Sequence, residues 1–156
     1  MIVVFLSEWR KLNMALVGIV MGSDSDMPVM AKAAEAGGAD ALSLINTITG
    51  MKIDVERQKF ALANKTGGLS GPAIKPVAVR MVYQVANAVN IPIIGMGGIK
   101  DANDAMEFIL AGATAVSIGT ANFTNPLVTE EVVAGIEDYM RRHNVEDINS
   151  LIGLVK

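Results

Sequence analysis

The sequence predicts an α/β fold of four or five βα units with a parallel sheet, and three observations point there. Short apolar runs, ALVGIVMG (Ala15–Gly22), ADALSLIN (Ala39–Asn46), IPIIGMG (Ile91–Gly97) and ATAVSIGT (Ala113–Thr120), are nearly uninterrupted, as suits strands buried on both faces. Segments of helical periodicity separate them. The runs close on small or polar residues, the punctuation of short βα connections. Strand alternating with helix implies parallel strands joined by right-handed crossovers. The pattern fits half of a (β/α)8 barrel or an open flavodoxin-like sheet, and the sequence does not choose between them.

Each element has its own signals. Residues 1–13, MIVVFLSEWRKLN, read as a leader or fusion scar, or as one extra strand; Met14 reads as a second start. The remainder, 14–156, needs only one domain. Met27–Ala36 follows Ser25 and Asp26, both good N-cap types, with Pro28 in its first turn. Pro72–Ala88 follows Ser70 and places Ile74, Val77, Met81, Val82 and Val85 on one face. Ala102–Leu110 follows Asp101 and turns Ala105, Met106, Ile109 and Leu110 inward. Glu130–Arg142 turns Val133, Ile136 and Met140 inward and ends on Arg141 and Arg142, cations suited to a helix C-terminus. The connection from 48 to 69 is long for a compact α/β domain, and MKIDVERQKFAL within it alternates as a hairpin would.

Composition excludes several classes. With 13 Lys and Arg against 16 Asp and Glu, a formal charge of −3, no dense basic face exists for a nucleic-acid backbone. No apolar run reaches the roughly 18 residues of a membrane span. The absence of Cys removes disulfides, thiolate metal sites and a thiol nucleophile or base, and suits a cytoplasmic protein.

Candidate chemistry gathers at glycine corners. Gly97 and Gly98 follow one strand, and Asp101 then caps a helix whose first N–H groups are expected to point at the same corner. Amides without a Cβ obstruction at a helix N-terminus make an anion pocket. Gly119 and Thr120 end the next strand and add a second backbone approach and a hydroxyl. Barrel enzymes often share one phosphate between two successive late loops in this way. The alternative is that these glycines only make tight turns. Lys65 and Lys75 are phosphate neighbours or surface residues, and Asp24 and Asp26 are metal ligands or, more simply, solvent and cap. No metal is expected. His143, the sole histidine, reads as a helix-end cation. The ten Met residues fit an irregular core.

From about Ala31 to the end, a span containing LINT, TGGLSG, GMGG and IGT in order, the chain resembles the C-terminal half of class 1 dihydroorotate dehydrogenase, particularly the B type. That resemblance implies an FMN-binding barrel oxidising dihydroorotate to orotate. Position by position it implies that Gly97, Gly98, Gly119 and Thr120 cradle the FMN phosphate, that Gly68 and Ser70 lie along the flavin, and that Asn46 and Thr47 hydrogen-bond orotate. It also implies a cysteine base in the earlier half of the family's chain and a flavin-facing lysine, and neither has a counterpart here.

Residues 14–30 read differently. ALVGIVMGSDSDMPVM resembles the opening of the phosphoribosylaminoimidazole carboxylase catalytic subunit, a mutase of carboxyaminoimidazole ribonucleotide. There the loop matching Gly22, Ser23, Asp24, Ser25 and Asp26 contacts nucleotide, while a later histidine, lacking here, moves the proton. Together the resemblances imply an engineered chimera joined near Met30 and Ala31. The expectation is a half-barrel scaffold with weak affinity for FMN or phosphate and no complete active site. Its alternatives are a fragment active only with a complementary half, and a ligand-free structural oligomer. Open strand edges and an apolar inner sheet face imply a homodimer or larger assembly.

Overall fold

The structure, a computed structural model, describes residues 2–6, 17–20 and 26–155. Gly22, Ser23, Asp24 and Ser25 of the mutase-like loop, and Met14, lie outside the described residues. In chain order the elements are β1 (Ile2–Leu6), β2 (Val17–Val20), α1 (Met27–Ala36), β3 (Ala39–Leu44), β4 (Ile48–Met51), β5 (Ile53–Asp54), β6 (Lys59–Phe60), β7 (Thr66–Leu69), α2 (Lys75–Ala86), β8 (Ile93–Met96), α3 (Ala102–Leu110), β9 (Ala115–Ser117), α4 (Ala121–Thr124) and α5 (Val128–Arg142).

The main sheet runs β2-β1-β3-β8-β9. Its β3, β8 and β9 are parallel and follow chain order, with Leu42 opposite Ile93 and Gly95 opposite Val116. Three of the four apolar runs therefore form paired parallel strands as predicted, while the first, which carries β2, pairs antiparallel. The other end of the sheet departs from expectation, because β1 inserts between β2 and β3 and pairs antiparallel with both. Residues 7–16 are too few to carry the crossover that a parallel β1–β2 pair would need.

Helices α1, α2 and α3 touch in succession, and α5 packs on α3. Successive right-handed crossovers put them in one row on one face of the sheet, the arrangement of half a barrel rather than of a doubly covered open sheet. Leu42, Leu44 and Ile93 share a buried core with Ala78, Val82, Val85 and Phe108. Phe108 lies directly on β8: a Cβ on Gly95 would stand 2.6 Å from its Cδ1. Burying such a ring contributes about 1.5–3 kcal/mol. The opposite sheet face, expected to be apolar, is mixed. There Ser43 and Ser117 alternate with Ile94 and Met96, and the Ser43 hydroxyl lies 4.0 Å from the Met96 sulfur.

Helix boundaries match the expectations closely at α1 and α3. Asp26 occupies the N-cap of α1, exposed and without a capping side-chain bond, while Asp101 caps α3 by accepting from Asp104 N at 2.9 Å. The predicted helix from Pro72 begins instead as a 3-10 turn, Pro72–Ile74, and Gly71 at φ 86 precedes it, so Ser70 is no cap. On α5 the inward valines are Val128 and Val132, whereas Val133 is 52% exposed. The face is set by Gly135: a Cβ there would stand 2.3 Å from the Ala102 Cβ, so α5 rests on α3 along its glycine.

The long connection is a two-tier hairpin. Antiparallel β4 and β7 pair from Ile48–Leu69 to Met51–Thr66, and β5 with β6 extends beyond them. At the other end of the chain, a 3-10 turn, Ile148–Leu151, leads to a tail whose Gly153 and Val155 N–H groups donate to the Ile109 and Leu110 carbonyls at 3.0 and 3.2 Å. Among the described residues no helix is long and apolar enough to cross a membrane.

Candidate functional site

The carboxyl ends of β3, β8 and β9 open onto one cleft of about 170 Å³. Asn46 and Thr47 follow β3, Ser70 and Gly71 follow β7, Gly97 and Gly98 follow β8, and Gly119 and Thr120 follow β9, all lining it. Thus the residues that the family resemblance assigned to ligand all meet there except Gly68, whereas Lys65, Lys75 and Asp101 do not line the cleft. Gly68 stands just behind, in the β4–β7 ladder, where a Cβ would be 2.3 Å from Thr47 Oγ1 and would push that side chain away. Asn46 Oδ1 accepts from Thr47 N at 2.7 Å, fixing the turn that carries both.

The glycines have different reasons. Gly97 (φ 124) and Gly98 (φ 84) occupy the left-handed region that favours glycine. A Cβ on Gly98 would stand 2.7 Å from the Gly71 carbonyl oxygen and 3.0 Å from Lys75 N. The turn after β8 is thereby pressed onto the start of α2. Gly119 has open space where its Cβ would point, so chain packing gives it no reason to be glycine. The main-chain N–H groups of Gly98, Gly119 and Thr120 donate to no acceptor among the described residues. They are available to an anion.

The expected contribution from the α3 N-terminus is otherwise engaged. Asp104 N donates to Asp101, and the Asp104 carboxylate turns back to accept from Lys100 N at 3.1 Å. The Asp101 carboxylate thus already satisfies a helix amide that sequence reasoning assigned to a ligand. The flanking cations are taken too. Lys75 Nζ lies 2.6 Å from Asp104 Oδ1 and 2.5 Å from Glu107 Oε1, and Lys100 Nζ pairs with Asp101. These bonds, Asp104 first, raise the Lys75 ammonium above its ordinary value; the Lys100 ammonium, followed by the Asp104 amide, lowers the Asp101 carboxyl below its own. Lys65, the other phosphate candidate, is exposed with its ammonium 5.7 Å from the Phe60 ring centre. Any anion at this corner would thus be held by amides and the Ser70 and Thr120 hydroxyls, with no free ammonium supplied by Lys75.

Sequence reasoning missed Ile45, Gly71, Ile74, Met96, Ile99 and Ser117 as lining residues. Two of them carried a signal, Gly71 as the closing glycine of TGGLSG and Ser117 as the polar residue in the run AVSIGT. His143 is far in character from a catalytic base: exposed at the end of α5, its ring stacks on Tyr139 at 4.2 Å. No cluster of three or more His, Asp or Glu residues able to hold a metal occurs among the described residues.

Parallel strands in chain order, one outer row of helices and a glycine-lined cleft at the strand ends define a chain of the α/β-barrel class, with about half of a barrel's units. Residues 10–140 match the family described as Dihydroorotate dehydrogenase, and the chain belongs to that family. The "Dihydroorotate dehydrogenase B (NAD(+)), catalytic subunit" of Lachnoclostridium phytofermentans is 70% identical over 132 residues, which are 85% of this chain and 44% of that protein. Its namesake from Alkaliphilus oremlandii is 66% identical over 129 residues, 83% of this chain and 43% of the relative. Among solved structures, DHODH from Eimeria tenella in complex with ferulenol aligns with a TM-score of 0.71 at 28% identity, covering 85% of this chain and 35% of that one. The chain spans less than half the length of these relatives. The family match also runs across residues 14–30, the segment compared above with the mutase.

Proposed function

We propose that this chain is a half-barrel scaffold that binds the phosphate end of FMN at the corner formed by Gly97, Gly98, Gly119 and Thr120, without a complete site for dihydroorotate oxidation. One observation carries the reading: turns from four separate parts of the chain, each matching a family motif, converge on one cleft. The cleft is smaller than the roughly 300–1,000 Å³ usual for a whole-cofactor pocket, which suits a phosphate and its neighbouring atoms better than the full flavin. Amides of Gly98, Gly119 and Thr120 would receive the phosphate, Ser70 and Gly68 would flank the flavin, and Asn46 and Thr47 would face an orotate-like ligand. When bound, FMN supplies a two-electron acceptor for hydride. The chain holds no Cys to act as the family's base, and the one His lies at the end of α5. Loss of one member of a catalytic group removes most of its rate, so dihydroorotate oxidation by the chain alone is expected to be negligible.

The length ratio favours a second reading, in which a complementary amino-terminal half restores activity. The scaffold reading also takes 14–30 as a graft from a second, mutase-like parent, supported by the string MGSDSDMPVM alone, and takes the open sheet edges as sites of homo-oligomer formation.

An absorption spectrum of the purified protein and a flavin-fluorescence titration with FMN test the binding. Quenching that saturates, together with a melting temperature that rises with FMN and with inorganic phosphate, is expected. No quenching and no thermal shift with either would overturn the reading. Orotate formed on mixing with the amino-terminal half of a relative, and by neither piece alone, would establish the second.

A further inference from the structure

Asp104 is a charged residue buried to 3% exposure on the helical side of the cleft. Burying a carboxylate is costly unless it is paired and hydrogen-bonded, and even a well-made buried pair is often no more stabilising than apolar side chains of like volume. Stability alone therefore explains Asp104 poorly. Its bonds suggest a different use. Oδ1 accepts from Lys75 Nζ at 2.6 Å, and Oδ2 accepts from the main-chain N–H of Lys100 at 3.1 Å. Lys75 opens α2 immediately after the Ser70–Gly71 corner and its 3-10 turn, whereas Lys100 closes the Gly97–Gly98 corner. The two corners touch, Gly98 against the Gly71 carbonyl and Lys75 N, and both line the cleft. A single carboxylate is fastened to both walls.

We infer that Asp104 is a positioning residue that holds the Ser70–Gly71 and Gly97–Gly98 corners at the separation the phosphate end of the ligand requires. The inference rests on the phosphate-binding reading above. Glu107 supplies an internal control, because it shares the Lys75 ammonium at 2.5 Å but makes no bond to the Lys100 amide, and its side chain is 40% exposed against 5% for that of Asp104.

The test uses the full chain with Asp104→Asn and Glu107→Gln, FMN and inorganic phosphate as probes, and amide hydrogen exchange at Lys100 read by NMR. Asparagine keeps the shape and loses the charge. Asp104→Asn is expected to weaken both probes about tenfold and to speed exchange at Lys100, while Glu107→Gln leaves both within about twofold. Equal losses in the two variants, or lost affinity with the Lys100 amide still protected, would mean that Asp104 acts only through general stability, and would overturn the inference. Should Asp104→Asn not fold, Lys75→Met frees one wall from the carboxylate, and unchanged affinity there overturns it equally. If the wild-type chain takes up neither probe, the phosphate-binding reading is what has failed. Lys100 exchange then decides the clamp by itself, with unchanged protection in Asp104→Asn counting against it.

Discussion

At Gly98 and Gly119 the same amino acid answers two different demands. Gly98→Ala places a Cβ against the Gly71 carbonyl at a φ of 84, so a loss of about 1–3 kcal/mol in chemical denaturation is expected even without ligand. Gly119→Ala meets open space, and its folding stability should stay within about 0.5 kcal/mol of wild type. If the cleft holds phosphate, the alanine methyl should nonetheless weaken FMN in the fluorescence titration. Asp101 provides a pH test. Its carboxyl is lowered by Lys100 and by the Asp104 amide, so its charge stabilises the fold at pH above the ordinary carboxylate value near 3.8. That contribution fades as pH falls through the lowered value. Asp101→Asn keeps a capping oxygen; its stability deficit in urea melts should be full at pH 6 and vanish toward pH 2. The glycine corners were legible in sequence because turn chemistry is local. The Asp104 clamp was not, since its Lys75 partner is 29 residues away and a polar residue in a helix pattern reads as solvent-facing.

Among the elements, α1 and α3 could be bounded from caps and periodicity, because both signals lie within about a turn of the helix end. The facing of α5 could not, for it depends on a glycine fitting another helix. Gly135→Ala makes a sharp test. Helix propensity would favour alanine by about 1 kcal/mol, yet its Cβ would stand 2.3 Å from that of Ala102. Neither methyl can rotate away, so α5 must shift, and overpacking of this kind costs about 1–3 kcal/mol. A lower melting temperature is expected; a higher one would mean that α5 does not rest on α3 through this residue. The insertion of β1 was equally hidden, because an apolar run declares a strand without declaring its neighbour or direction.

For the whole molecule, the decisive fact is that among the described residues the sheet does not close. Among the described residues β9 pairs only with β8, and β2 only with β1, so each leaves a row of backbone groups on its outer side. Exposed Val55, Phe60 and Phe123 add apolar surface. Strand edges of this kind template further pairing. Light scattering behind size exclusion should therefore give a mass above one 156-residue chain, rising with concentration. A constant single-chain mass across a hundredfold concentration range would exclude self-association through these edges. The half-barrel itself was legible as one of two architectures; the choice between them lay in which face the crossovers took, a matter of chain path that periodicity does not record. One consequence remains in the tail. Since Gly153 and Val155 are tied to the last turn of α3, which Asp101 caps and whose first turn carries Asp104, tension applied to the carboxyl terminus is delivered along a stiff rod to the mouth of the cleft. A tether placed there to hold the protein on a sensor surface would pull on the loops that line the cleft.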